Sequence, residues 1–295
     1  MMGAPVVRVD EGSVMEITLA EQRIFALEER MPFEETRQKA MDKRSTAFVS
    51  GIGSFLQRPK TEDIVLLTSQ RRVEPFWHVS CRAKYIYDRR RDYAVTASGP
   101  EVRGVTIEGK DYDVTEAGKA ARTFSLPTLE HCHEEFVHEV YADGLTGAPV
   151  PDGSTVIASA RAEVSDPATL ATEGTIVMPP EHRASFVMRK LMAEMLRPVQ
   201  ADSVTEESLT LEATDLYYRP IWAFEFHWKP KDKKGIVEID AVTGQVRQGQ
   251  SLVPALTKMV SRDALFDIGA DTIGLLVPGG SIAVKVARAA LDKGY

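Results

Sequence analysis

Pro220-Ile221-Trp222-Ala223-Phe224-Glu225-Phe226-His227-Trp228 is an alternating aromatic run, and a paler version stands earlier as Pro75-Phe76-Trp77-His78-Val79-Ser80-Cys81-Arg82-Ala83. Each is led by proline, with tryptophan two positions later. Side chains alternate across a strand with a period of two, so Trp222, Phe224, Phe226 and Trp228 share one face and Ala223, Glu225 and His227 the other. The same register groups Trp77, Val79, Cys81 and Ala83. One face is apolar in both runs. The other diverges, with Ala223 against His78, Glu225 against Ser80 and His227 against Arg82. The apolar face reads as shared core, and any function that separates the two runs belongs to the diverged face.

Further landmarks recur around these runs in the same order. Met31-Pro32-Phe33-Glu34 matches Met178-Pro179-Pro180-Glu181, and each precedes a helical pattern. Arg58 to Asp63 and Arg197 to Asp202 share an R-P-x-x-x-D spacing. Asp143-Gly144-Leu145-Thr146-Gly147 and Asp240-Ala241-Val242-Thr243-Gly244 close the two segments. Together they predict an internal duplication. The expected fold class is α+β: two related helix-plus-antiparallel-sheet units followed by a C-terminal helical hairpin. Residues 1–30 supply a strand over Val14–Leu19 and a helix over Ala20–Arg30. Residues 31–147 form the first repeat, 148–177 a connection, 178–250 the second repeat and 251–295 the hairpin.

Within the first repeat a helix opens at Pro32 and runs towards Leu56, with Gly51 and Gly53 placed to bend or end it. Ile64–Leu67 reads as a strand or a short buried helix, Asp88–Asp92 as a charged hairpin tip, and Tyr93–Ala97 and Val102–Ile107 as strands. Glu108-Gly109-Lys110 is a tight turn. The connection has room for a strand at Thr155–Glu163. Ser185–Leu196 is the cleanest helix, with Phe186, Met188, Leu191, Met192, Met195 and Leu196 on one broad face. Ser208–Ala213 and Ile236–Asp240 alternate as strands flanking the aromatic run, the second after a charged turn at Lys229–Lys234.

Composition narrows the classes of function. The chain has 295 residues, 43% hydrophobic and 27% charged, with a net charge of −7. That is an ordinary globular balance and argues against general binding of a phosphate backbone, although a local basic patch is compatible with it. Two isolated cysteines suit a reducing compartment. The acidic start, Met1 to Glu16, lacks the apolar core of a secretory signal, and no run of about 18 apolar residues suggests a membrane span. A cytoplasmic protein is expected.

Residues 178–250 resemble a PepSY-type domain. The resemblance rests on Trp222 in the central strand and on Val237-Glu238-Ile239-Asp240-Ala241-Val242-Thr243-Gly244-Gln245-Val246, a strand running into D-x-x-T-G-x-V. The first repeat departs from it, with Ala148-Pro149-Val150 after the glycine and an insertion from Val102 to Glu130. The resemblance implies a helix paired with a small antiparallel sheet, and an inhibitory, regulatory or protein-binding role, often in exported proteins. The D-x-x-T-G element also has a local cause, because Asp and Thr side chains bind nearby backbone and Gly accepts positive φ.

Three constellations carry candidate chemistry. His131, Glu135 and His138 would share one face if residues 131–141 were a helix, and could then hold a divalent ion; as a strand they would be split between faces. Arg82, Lys84, Arg89, Arg90 and Arg91, near Tyr85 and Tyr87, have the ingredients of a single-strand nucleic-acid surface, set against a solvated hairpin with the tyrosines buried. Leu265, Ile268, Leu275 and Leu276 on one helix, and Ile282 and Val286 on the next, would form an apolar hairpin. That hairpin would dock on its own chain, a partner, a second copy or a membrane surface. No Walker loop, G-x-S-x-G, H-E-x-x-H or dinucleotide fingerprint occurs, and no cofactor is implied. The expected function is a non-enzymatic interaction or assembly module. The alternative is a nucleic-acid-binding or metal-dependent accessory protein.

Overall fold

The alternation first seen in two nine-residue runs extends far beyond them. The computed structural model describes residues 15–48, 59–116, 122–172, 174–196, 199–249, 262–266 and 284–288. Its strands are β1 (Met15–Leu19), β2 (Gln22–Leu27), β3 (Ile64–Thr96), β4 (Gly104–Ile107), β5 (Lys110–Asp113), β6 (Thr115–Glu116), β7 (Arg122–Asp143), β8 (Arg161–Glu163), β9 (Thr175–Val177), β10 (Ser203–Trp228), β11 (Lys233–Asp240), β12 (Val246–Gly249) and β13 (Val284–Arg288). The helices are α1 (Phe33–Lys43), α2 (Gly153–Ile157), α3 (Ala184–Met195) and α4 (Arg262–Phe266).

The expectation of two α+β units, each with its own small sheet, is corrected. The two aromatic runs lie in neighbouring strands of one 11-stranded mixed sheet ordered β12-β11-β10-β3-β7-β6, with β1, β2, β8, β9 and β13 attached beside this path. β3 and β10 pair antiparallel from Asp88↔Ser203 to Ile64↔Trp228. Along its other edge β10 carries β1, β2 and β11 in succession. Strands dominate the described residues.

Both main helices cover the same face of this sheet. α3 packs Val187, Met188, Leu191, Met192 and Met195 against Trp77, Val79, Cys81, Ala83 and Tyr85. α1 and the 3-10 turn after it cover Phe224, Phe226, Trp228, Val237 and Ile239. The aromatic face is therefore core in both halves, as the alternation predicts. Each fully buried large side chain contributes on the order of 2–3 kcal/mol. The opposite face carries a smaller apolar cluster of Phe25, Phe76, Tyr217 and Val242 beneath α2, and the buried charges described below.

The halves are related by a pseudo-two-fold axis. From Thr68↔Glu225 to Ser80↔Ala213 the pairing is centred on Glu74↔Arg219, which makes Pro75 and Pro220 equivalent. The Gly144 N–H donates to Pro75 O, and the Ala241 N–H donates to Pro220 O. Both D-x-x-T-G turns form as predicted. Asp143 Oδ1 accepts from the amides of Leu145 and Thr146, and Asp240 Oδ1 from those of Val242 and Thr243. Gly147 and Gly244 take φ of +70° and +74°.

The helices are exchanged between the halves. The amides of Arg30 and Met31, just before α1, donate to Ala241 O in the second turn. Those of Glu181 and His182, just before α3, donate to Gly144 O in the first. Each helix thus sits on the hairpin of the other repeat. The same bonds align Met31-Pro32 with His182-Arg183, four residues beyond the Met178-Pro179 match that the sequence offers.

Other expectations change with tertiary context. Ala20–Arg30 contains β2, because Ile24 faces one core cluster while Phe25 and Leu27 face the other. Burial on both sides replaces the one-sided stripe of a helix. Asp88–Asp92 lies inside β3 and is not a hairpin tip. Glu108 and Gly109 form the expected tight turn, with positive φ at both. Thr155–Glu163 is divided between α2 and β8. The helix from Pro32 gives way to 3-10 geometry after Lys43, and residues 49–58 lie outside the described part.

The C-terminal helical hairpin is corrected as well. Val284–Arg288, expected in its second helix, is a strand paired in parallel with β1, where Val286 stands opposite Ile17. Ile268, Leu275, Leu276 and Ile282 lie outside the described residues. Among the described residues no helix is long and apolar enough to cross a membrane.

Candidate interaction surface

The segment from His131 to Tyr141 is strand, part of β7, which pairs with β3 from Phe76↔Asp143 to Thr96↔Thr123. Alternation sends Cys132, Glu134, Phe136, His138 and Val140 towards the helical face, where Cys132, Phe136 and Val140 pack on the core. The odd-numbered residues face the other way. His131 and Glu135 therefore share one face and His138 occupies the opposite one, so the three do not converge. His131 Nδ1 lies 2.7 Å from Asp88 Oδ1, Glu135 accepts from Arg82 at 2.7 Å, and His138 Nε2 lies 2.8 Å from Glu194 on α3. Among the described residues no cluster of three or more His, Cys, Asp or Glu is arranged to hold a metal ion.

The basic residues are spread along the same ribbon beside carboxylates. Arg82 bridges Glu212 and Glu135, and those two hydrogen bonds raise its pKa further. Lys84 meets Glu206 at 2.9 Å, Arg89 meets Glu130, and Arg91 lies 4.0 Å from the same Glu130. Hydrogen bonds from Tyr93 and Arg89 hold the Glu130 carboxyl below its ordinary range. Tyr85 and Tyr87 are buried. Arg90 and Leu129 line a shallow hollow of about 420 Å³ on the opposite face. Base stacking needs open rings beside free cations; here both tyrosines are buried and Arg82, Lys84, Arg89 and Arg91 each have a carboxylate beside them, while Arg90 is exposed.

Leu265 is buried, and its neighbour Phe266 packs edge-on against Trp77 at 5.4 Å. α4 therefore docks onto its own chain, and Leu265 offers no outward surface.

Buried charge concentrates near the pseudo-two-fold axis. Arg72 donates to Glu74 and Glu238, each at 2.6 Å, and Arg247 donates to both glutamates from the other side. Burial opposes the charge on Arg247, but Glu74 and Glu238 raise its pKa overall. Nearby, Arg23 grips Asp215 through two bonds, and His78 stacks on Tyr141 at 4.8 Å. The arginines and carboxylates neutralise one another and bind the strands together, while the buried His78 ring nitrogens have no hydrogen-bond partner among the described residues.

Among the described residues, the sheet leaves one long backbone edge without a partner strand. β10 stops pairing at Asp88, so the β3–β7 ribbon projects a further eight residues, about 25 Å at a strand's rise. Between Phe124 and Val140 no described strand pairs with the side of β7 facing away from β3. The parity of that edge is fixed at its ends. The Val150 amide donates to Tyr141 O, the Asp143 amide to Ala148 O, and the Ala97 amide to Arg122 O. Odd-numbered residues of β7 therefore aim N–H and C=O outward, and even-numbered ones bond to β3.

Pro127 falls on an odd position, where its missing donor breaks no ladder bond, the placement expected of proline on an edge strand. Leu129 and Val137, also odd, are 49% and 43% exposed. Sequence reasoning missed this edge. Its signals were Pro127 inside an alternating run and the lack of any Lys or Arg between Arg122 and Arg161.

No protein-family model, curated protein or solved structure matches this chain.

Proposed function

We propose that the chain is a protein-interaction module that receives a segment of a partner as an added strand along β7. The observation carrying this reading is the outward-facing backbone of β7 from Ser125 to Glu139, about 46 Å of edge at a strand's rise. Unpaired N–H and C=O groups in register are a template for another strand, and alternate side chains supply selectivity. Leu129 and Val137 stand exposed on this strand, where an added strand would cover them. Residues 178–250 resemble PepSY-type domains, known as inhibitory, regulatory or protein-binding modules, although β7 itself lies outside that span.

The test uses proline parity. Extended peptides selected from an unbiased library on the full chain should protect the amides of Leu129, His131, His133, Glu135 and Val137 from hydrogen exchange. Val137→Pro removes an outward donor without touching the β3 ladder, so it should weaken capture while the melting temperature is nearly kept. Phe136→Pro, at an inward donor, should instead destabilise the ribbon. Selected peptides that protect other regions and ignore Val137→Pro would remove the proposal.

A further inference from the structure

The chemistry of the open edge selects among possible strands. From Glu130 to Glu139 β7 carries Glu130, Glu134, Glu135 and Glu139, three histidines and no Lys or Arg. Edge strands are commonly guarded by lysine, whose charge repels an incoming sheet; here the guard is acidic, with Pro127 at one end. On the odd face the order Leu129, His131, His133, Glu135, Val137 puts an exposed aliphatic at each end and charge between them. The even face presents Glu130, Glu134 and Phe136.

A second copy fits this edge poorly. Antiparallel self-pairing centred on His133, which brings Leu129 opposite Val137, would put Phe136 opposite Glu130 and Cys132 opposite Glu134, and so supplies no Lys or Arg to either carboxylate. The flanks also interfere. β6 occupies the edge beside Arg122 and Thr123, and Pro149 and Val150 occupy it beside Ala142 and Tyr141. A copy of β7 paired along the whole open stretch meets one of these segments, whereas a short strand lies between them.

Resting on the strand-addition reading, we propose that the edge takes an extended segment of another protein, about nine residues long, with aliphatic residues at both ends and lysine or arginine between. Run antiparallel, its end residues cover Leu129 and Val137. Its basic residues stand opposite Glu130, Glu134 and Glu135, which already accept from Arg89 and Tyr93, from Tyr87, and from Arg82 respectively; a carboxylate has about four lone-pair sites and can take a further donor. Outward amides and carbonyls of β7 supply the ladder, and the charges set direction and register.

The experiment titrates the full chain with three synthetic peptides and reads affinity together with exchange protection on β7. The first is Ile-Val-Lys-Arg-Thr-Val-Thr-Lys-Leu. The second replaces its three basic residues by Glu. The third keeps the basic sequence but N-methylates alternate amides, so that it cannot pair as a strand. The first should bind, protect the odd-numbered amides from 129 to 137 and weaken with salt, while the acidic version should lose about tenfold or more in affinity. Equal binding of the acidic and basic peptides, with the same amides protected, overturns the basic chemistry and leaves strand addition standing. Equal binding of the N-methylated peptide overturns both. A concentration-dependent dimer of the chain that protects these amides without peptide assigns the edge to a second copy and also overturns the inference.

Discussion

Replacing Arg72 with Met tests whether the charged ring near the pseudo-two-fold axis behaves as buried. The Arg72, Glu74 and Glu238 side chains are only 8%, 9% and 6% exposed, and four strong hydrogen bonds close the ring with Arg247. Removing Arg72 leaves two buried carboxylates sharing the one guanidinium of Arg247, whose side chain reaches the surface and is 40% exposed. Breaking a buried pair by deleting one partner costs about 3–5 kcal/mol, several times the 0–1 kcal/mol of a surface pair. For a chain of this size that is a loss on the order of 10 °C in Tm. The assay is urea unfolding followed by tryptophan fluorescence, with Arg82→Ala as the control, because Arg82 and its partners are about 40% exposed. Arg72→Met should shift the midpoint strongly and Arg82→Ala hardly at all. The neutral double variant Arg72→Met with Glu238→Met should recover part of the loss, since it keeps the Glu74–Arg247 pair. Equal small effects for Arg72→Met and Arg82→Ala would show that water reaches the ring and would refute the burial argument.

Gly235→Ala should destabilise by about 1–3 kcal/mol, because an added Cβ would lie 2.6 Å from the Ala47 carbonyl oxygen in the turn that follows α1; a thermal melt within a degree of wild type would contradict the packing. Burial pushes the Cys81 thiol up to about 12, so at pH 8 iodoacetamide should label Cys132, which is only half-buried, well before Cys81, as read by peptide mass spectrometry. Comparable labelling of the two in the folded chain would count against the placement of Cys81 beneath α3. The depressed Glu130 carboxyl stabilises the arm fully above the ordinary glutamate pKa of about 4.3 and loses that contribution as pH falls through its lower folded value. An NMR titration of the Tyr93 ring should therefore show its midpoint below 4.3, and a midpoint above it would remove the Tyr93–Glu130–Arg89 linkage.

Much of the local structure was legible. The alternating runs, the two D-x-x-T-G turns and the tight turn at Glu108-Gly109 follow from side-chain period and turn chemistry, which act over a few residues. α3 was visible because its apolar face has one clean side. β2 was not, since burial on both faces removes the one-sided stripe that separates helix from strand. The basic and histidine-rich candidates were visible as clusters. That Arg82 and Lys84 each meet a carboxylate of β10 depends on strands more than a hundred residues apart, as Arg82 and Glu212 show. The open edge stayed hidden because backbone availability is a property of the sheet: Pro127 hinted at it, but only the register against β3 shows which amides face outward.

The sequence by itself determined a repeated apolar face and the turns that end each repeat, because alternation and turn propensity are written in adjacent residues. Only the tertiary structure decided that the repeats share a single sheet and exchange their helices. The same order of helix, strands and turn is compatible with each helix lying on its own hairpin or on its neighbour's. The choice falls to long-range contacts, in which the amides before α1 reach Ala241 and those before α3 reach Gly144. Once Glu74 and Arg219 pair at the centre, the two hairpins extend in opposite directions, and each helix covers the apolar face presented by the other repeat.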